Sequence, residues 1–154
     1  LGSRLKKGTA LQEGMPWWKY FANRFLTWVE NTTFKLDLSE YHTGYRAFRR
    51  EVLETVNYPM NSDGFIFDQE IIAQVVAAGF RTTEIAVPTR YFAEASSASF
   101  FQSVIYGLRI LTLVKNYALW RARLFEGRQF VSLRARYQKL PATADVRRNK
   151  PENG

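Results

Sequence analysis

Between Trp17 and Phe34 the large apolar side chains fall at 17, 21, 25 and 28, and again at 18, 25 and 29. An α-helix turns once every 3.6 residues, so positions three and four apart share a face, and this spacing predicts one helix across the run. Met15-Pro16 would open it, with Pro16 in the first turn, and Lys19, Asn23, Arg24, Glu30 and Asn31 form its polar side. Apolar positions 100, 101, 104, 105, 108, 111, 114 and 119 predict a second, longer helix from about Phe100 through Trp120, with Ser99 as its cap. No acid lies between Ser99 and Phe125, whereas Arg109, Lys115, Arg121 and Arg123 do. Trp, Tyr and Phe interleaved with Lys and Arg suit helices lying at a membrane interface, rings at headgroup depth. The same patterns also suit ordinary amphipathic helices packed on a core.

The segments around these helices are shorter. Leu1-Gly2-Ser3-Arg4 reads as the end of a strand running into a loop, so the numbered chain is expected to begin inside a larger domain. Residues 5–15 read as a polar loop, and residues 35–42 as another. A short strand is expected over Thr43–Phe48, followed by a helix around Arg49–Val56 that the turn-rich run Asn57–Gly64 must end. A helix from Phe65 to Ala78 places Phe67, Ile71, Ile72, Val75 and Val76 on one side, with Gly79 where a C-terminal cap glycine belongs. Phe80–Val87 reads as a strand ending at Pro88, and residues 89–99 as a polar loop.

Composition narrows the chemistry. The 154 residues fit one domain with enough apolar content for a core. A formal charge of +8 selects anionic partners: nucleic acid, a phospholipid surface or a phosphorylated substrate. Without cysteine there is no disulfide or thiolate chemistry, and a single histidine, His42, excludes a histidine-rich metal site. No apolar run reaches the ~18 residues a spanning helix needs.

The stretch Glu40–Phe48 gathers the residue types that bind phosphate. Thr43 offers a hydroxyl, Gly44 a backbone that a ligand can approach, and Arg46 a planar fork of donors. It equally suits a strand entering a helix, with Tyr45 and Phe48 in the core and Arg46 in a surface ion pair. Asp68 and Glu70 stand in the first turn of their helix, where exposed amides and the helix dipole favour acids whatever their function.

Taken in order, Gly2-Ser3-Arg4, Thr43-Gly44-Tyr45-Arg46, Asp63-Gly64-Phe65-Ile66-Phe67-Asp68-Gln69-Glu70, Glu84-Ile85-Ala86-Val87-Pro88 and Arg90-Tyr91-Phe92 form a series. The series resembles the second half of family 2 glycosyltransferases, particularly those similar to polyprenol-phosphate mannosyl- and glucosyltransferases, over roughly residues 1–120. The resemblance implies an α/β fold: residues 1–125 would be the carboxyl-terminal, acceptor half of a GT-A-type domain, here incomplete, ending in a long amphipathic helix. Residues 126–154 would be a basic, largely disordered tail. It further implies that Ser3, Arg4, Thr43, Gly44, Arg46 and Arg90 bind donor or acceptor phosphates. Asp68 and Glu70 match acidic positions of which one is a general base in many relatives.

The implied reaction moves a hexose from a nucleotide sugar to an acceptor, a polyprenyl phosphate or a glycan, with inversion at the anomeric carbon. The enzyme would sit in the cytoplasm, peripheral at the inner face of the cell membrane, with an anionic membrane surface as partner and no nucleic acid. A Mg²⁺ or Mn²⁺ ion is expected for the complete enzyme, held by an Asp-x-Asp pair. Asp37-Leu38-Ser39-Glu40 lacks that spacing, so this chain alone is expected to bind no metal and to be inactive. A further departure is that Ser96-Ser97-Ala98-Ser99 lacks the lysine that commonly follows the arginine of the last motif. The alternative reading is a non-catalytic basic module for a membrane surface or for nucleic acid. Against nucleic acid, the aromatics fall on helical faces rather than on a sheet where bases stack.

Overall fold

The computed structural model describes residues 1–8, 11, 14–88 and 100–133. Its elements run β1 (Gly2–Ser3), α1 (Trp17–Phe34), α2 (Arg50–Thr55), α3 (Phe67–Ala77), β2 (Ile85–Ala86) and α4 (Phe100–Arg121), with single 3₁₀ turns at Tyr58–Met60 and Arg128–Phe130. Both long helices stand where the apolar spacing predicts them, and Pro16 sits one residue before α1, as its extended N-cap.

β1 and β2 pair in parallel, Gly2 opposite Ile85 and Ser3 opposite Ala86. The strand expected over Thr43–Phe48 does not form. Tyr45 contributes one carbonyl, which accepts from Gly2 N at 2.8 Å, and the neighbouring backbone groups bond elsewhere. The strand expected over Phe80–Val87 likewise shortens to two residues, because its ladder consists of Ile85 N to Leu1 O and Val87 N to Ser3 O.

The main core lies between α3, α4 and the end of α1, where Phe34, Tyr41, Ile72, Ile110, Leu113 and Tyr117 meet. A second cluster joins α2 to the opposite side of α3 through Val52, Val56, Ile71 and Val75. α3 is therefore covered on two sides, and seven consecutive residues, Gln69 to Val75, are buried. Gly79 ends it at φ +78°, with Gly79 N bonded to Val76 O and Phe80 N to Val75 O. That pair of bonds satisfies two carbonyls of the last turn, and the left-handed conformation it requires costs glycine nothing.

The core takes in one residue of the segment expected as tail, Phe130. Phe130 is buried against Tyr117 and Trp120, with ring centroids at 5.5 Å and 5.3 Å. The chain reaches that position by passing close to Trp120 at Gly127, where a Cβ would meet Phe130 at 2.6 Å. An aromatic ring after a close-packed glycine thus closes the bottom of the core. Residues 134–154 of the expected tail and the Ser99 cap lie outside the described residues.

Candidate functional site

α1 packs with its polar side inward. Asn23, Thr27 and Glu30 are buried, while Trp17, Phe21, Phe25 and Trp28, a row at helical spacing, are each more than half exposed. The buried polar row meets the loop after α1. Asn23 Nδ2 donates to Glu40 Oε1 at 2.9 Å and Thr27 Oγ1 to Asn23 Oδ1 at 3.2 Å. At the loop's start, Tyr41 Oη donates to Asn31 Oδ1 at 2.8 Å.

Glu40 also receives Arg4. The Arg4 backbone N donates to Oε2 at 2.8 Å and Nε to Oε1 at 2.9 Å, Nη2 bonds the same carboxylate, and Nη2 also reaches His42 O at 2.8 Å. Burial by itself would raise the Glu40 pKa, but the Arg4 hydrogen bonds and charge outweigh it, and the carboxyl ends below its usual range. Ser3 is held just as fully: its Oγ accepts from Leu5 N and Lys6 N and lies 2.6 Å from Ser39 Oγ. Ser39 in turn donates from both N and Oγ to Glu84 Oε2, each at 2.9 Å. The Gly-Ser-Arg segment is thereby pinned to the loop before Tyr41.

Arg46 ties that loop to α3. Its Nε donates to Thr43 O at 2.9 Å, Nη2 to Tyr41 O at 2.8 Å, and Nη1 to Asp68 O, while Asp68 Oδ1 stands 3.9 Å from Nε. The Arg46 side chain is 4% exposed. It is a buried clamp on three carbonyls, neither the surface ion pair nor the open phosphate fork that its sequence context suggests. Thr43 Oγ1 accepts from Tyr45 N at 3.3 Å, closing the turn at Gly44. Gly44 has no positive φ and an added Cβ would meet nothing within 4 Å, so the fold gives no reason of its own for glycine there.

The two acids of α3 part company. Residues two apart on a helix point about 200° from one another. Asp68 remains 43% exposed beside Arg46. Glu70 turns to the preceding loop, accepting from Ser62 N at 2.6 Å and Ser62 Oγ at 3.0 Å. The structure therefore brings Thr43, Arg46 and Asp68 together, sets Ser3 and Arg4 behind them across the Glu40 pair, and leaves Glu70 as a loop fastener. Arg90 lies outside the described residues.

A layer of residues to which the sequence reading gave no role lies under this site. Gln69 is fully buried, and its Nε2 lies within hydrogen-bonding distance of Tyr41 O, His42 Nδ1 and Tyr106 Oη. His42 Nε2 stands 3.4 Å from Glu30 Oε2. One sequence signal pointed here: Glu30 is the single acid in an otherwise aromatic and basic run from Trp17 to Phe34.

Among the described residues no group of three His, Asp or Glu side chains could hold a metal ion. Asp68 faces the Arg46 guanidinium, and a carboxylate already opposite one cation is a poor ligand for another. The divalent ion implied by the resemblance does not fit the residues present. A cleft of about 630 Å³ is floored by Phe48, Val52, Ile72 and Val75 and edged by Arg49 and Arg81, and none of the sequence-predicted site residues lines it.

The outer surface of the helices carries rows of apolar side chains. On α4, Phe100, Phe101, Val104, Ile105, Leu108 and Leu111 are exposed, and Trp18 of α1 meets Phe100 edge-on at 5.3 Å, joining the two rows. The acid of α1 is buried and α4 has none, so neither helix offers an exposed carboxylate. No helix among the described residues is long and apolar enough to cross a membrane. No protein-family model matches the chain, and no solved structure matches it.

Proposed function

We propose that the chain is the acceptor-side, carboxyl-terminal part of a family 2-like glycosyltransferase. The complete enzyme moves a hexose from a nucleotide sugar to a polyprenyl phosphate or a glycan, peripherally at the inner face of the cell membrane. The observation that carries this reading is the fastening of Thr43–Arg46 to the first turn of α3, which leaves Asp68 as the half-exposed carboxylate between two motifs 22 residues apart. Asp68 is the group placed to take a proton from an acceptor hydroxyl. Arg46 holds the turn beside Asp68, rather than reaching phosphate itself. A phosphate acceptor, already ionised, needs no base.

The test is turnover of a nucleotide sugar by the chain joined to the coding sequence that precedes it. Asp68→Asn is expected to lower kcat with hydroxyl acceptors by about 100-fold or more, the usual worth of a positioned base, and to spare a phosphate acceptor. Transfer by the 154 residues alone, or turnover indifferent to Asp68 with every acceptor, would overturn the reading.

A second reading is favoured by a different observation, the joined aromatic rows of α1 and α4 with basic residues and no exposed acid. Apolar patches beyond a few hundred Å² are unusual on a soluble monomer without a partner. On this reading the chain is a membrane-surface module without catalysis. Salt-sensitive sedimentation with anionic vesicles, in the absence of turnover by the longer form, would establish it over the first.

A further inference from the structure

Glu30 is fully buried on the inward side of α1, and neither of its carboxyl oxygens has a hydrogen-bond partner. An unsatisfied buried polar group of this kind costs roughly 1–3 kcal/mol and calls for an explanation. His42 Nε2, 3.4 Å from Glu30 Oε2, also lacks a hydrogen-bond partner. On the far side of the imidazole, Gln69 Nε2 lies 2.8 Å from Tyr106 Oη, 3.1 Å from the Tyr41 carbonyl oxygen and 3.2 Å from His42 Nδ1, so its two hydrogens are shared among three neighbours. Burial keeps the His42 imidazole neutral, bringing the imidazolium down to about 4, with the Arg4 and Arg46 charges adding and Glu40 opposing.

With His42 fixed neutral, Glu30 is left as the titrating partner of the pair. Facing it are His42, Tyr41 and Arg46 from the loop and Tyr106 from α4, with the Arg4–Glu40 pair behind His42. Loss of hydration pushes its carboxyl well above the usual range, and Arg46 offsets this only in part.

We propose that Glu30, stored as a neutral carboxylic acid beneath α1, is a proton-operated latch that seats this helix on the Tyr41–Arg46 loop and releases it when the proton is lost. The latch controls more than local packing, because the same helix carries Trp17, Phe21, Phe25 and Trp28 on its outer side. It operates whether or not the chain transfers a sugar. The sign follows from linkage. A carboxyl whose folded pKa lies above its unfolded one lends most stability at acid pH. That contribution falls about tenfold in the folding constant per pH unit as pH rises through the window between the two values.

The experiment uses the whole chain and the neutral, isosteric Glu30→Gln variant. Amide-exchange protection factors and urea unfolding are followed across roughly pH 5 to 8. Wild-type protection in α1 is expected to fall with rising pH while that of α4 holds, and the variant is expected to keep α1 protected throughout. The ratio of wild-type to variant folding constants should fall about tenfold per pH unit within the window. Parallel pH dependence in both proteins would overturn the latch. A direct measurement needs no variant: carboxyl ¹³C shifts of labelled wild type should contain one glutamate titrating well above the rest. Finding every glutamate in the ordinary range would overturn it equally.

Discussion

α4 buries Ile110, Leu113, Val114 and Tyr117, whereas α1 buries Asn23, Thr27, Glu30 and Phe34. Both helices expose apolar side chains on their other side, Phe101 and Leu108 on α4, Phe21 and Trp28 on α1. α4 is held by removing apolar surface from water, a force without direction that tolerates small shifts. α1 packs Leu26, Val29 and Phe34 on the core but is also held by directional contacts: Asn23 to Glu40, Tyr41 to Asn31, and the loop clamped by Arg4 and Arg46. A helix with that second kind of seat can spend its apolar face elsewhere, and its stability depends on charge state as well as on packing.

The sharpest way to break this contrast is to cut the apolar seat. Ile110→Ala in α4 should cost about 3 to 4 kcal/mol in urea unfolding, because a fully buried branched side chain leaves a cavity. A loss below about 1 kcal/mol would mean α4 does not close the core. Next comes the polar seat. Arg4→Ala strands the Glu40 carboxylate and should cost about 3 kcal/mol near neutral pH.

The pH dependence of Arg4→Ala should reverse as well. In the wild type Glu40 lies below its usual range, so its contribution is complete above the unfolded value and is lost as pH falls through the folded one. Without Arg4, burial alone would hold Glu40 above its usual range, and acid would then stabilise the variant relative to neutral pH. Denaturation midpoints at several pH values distinguish the two slopes.

Tyr41→Phe removes the hydroxyl bonded to Asn31 and is expected to cost about 1 kcal/mol, the worth of one such bond. The smallest effect on stability belongs to the outer row. Phe21→Ser with Trp28→Ser should change unfolding by no more than about 0.5 kcal/mol while weakening sedimentation with anionic vesicles. If that pair destabilised the chain as much as Ile110→Ala, the outer row would be part of a core and the contrast between the helices would fail.

The residues of the candidate site were unevenly legible. Arg46, Thr43 and Asp68 stand out in the sequence and meet in space, but the type of contact did not show: Arg46 spends its donors on carbonyls, which no side-chain pattern announces. Glu70 is equivalent to Asp68 by sequence position, yet its partner is Ser62, eight residues back in the turn-rich loop. Gln69, between them, stood in the same motif with no role given to it, although its buried amide joins Tyr41, His42 and Tyr106. A short strand was expected over Thr43–Phe48, and only the absence of a neighbouring ladder shows why it does not form.

Period and composition by themselves determined the two long helices, the glycine that ends α3, the positive charge and the separation of aromatic from polar positions along Trp17–Phe34. They did not determine which of those two faces turns inward. Amphipathic spacing is symmetric in that respect: it says that a helix has two sides, and burying the apolar one is only the usual outcome. Here Leu38, Glu40 and Tyr41, on a loop that Arg4 clamps from the far end of the sequence, supply hydrogen-bond partners for Asn23 and Asn31 on the polar side of α1. Those partners exist only once the tertiary structure has formed, and for that reason the orientation of the helix, and with it the exposed aromatic row, was decided there.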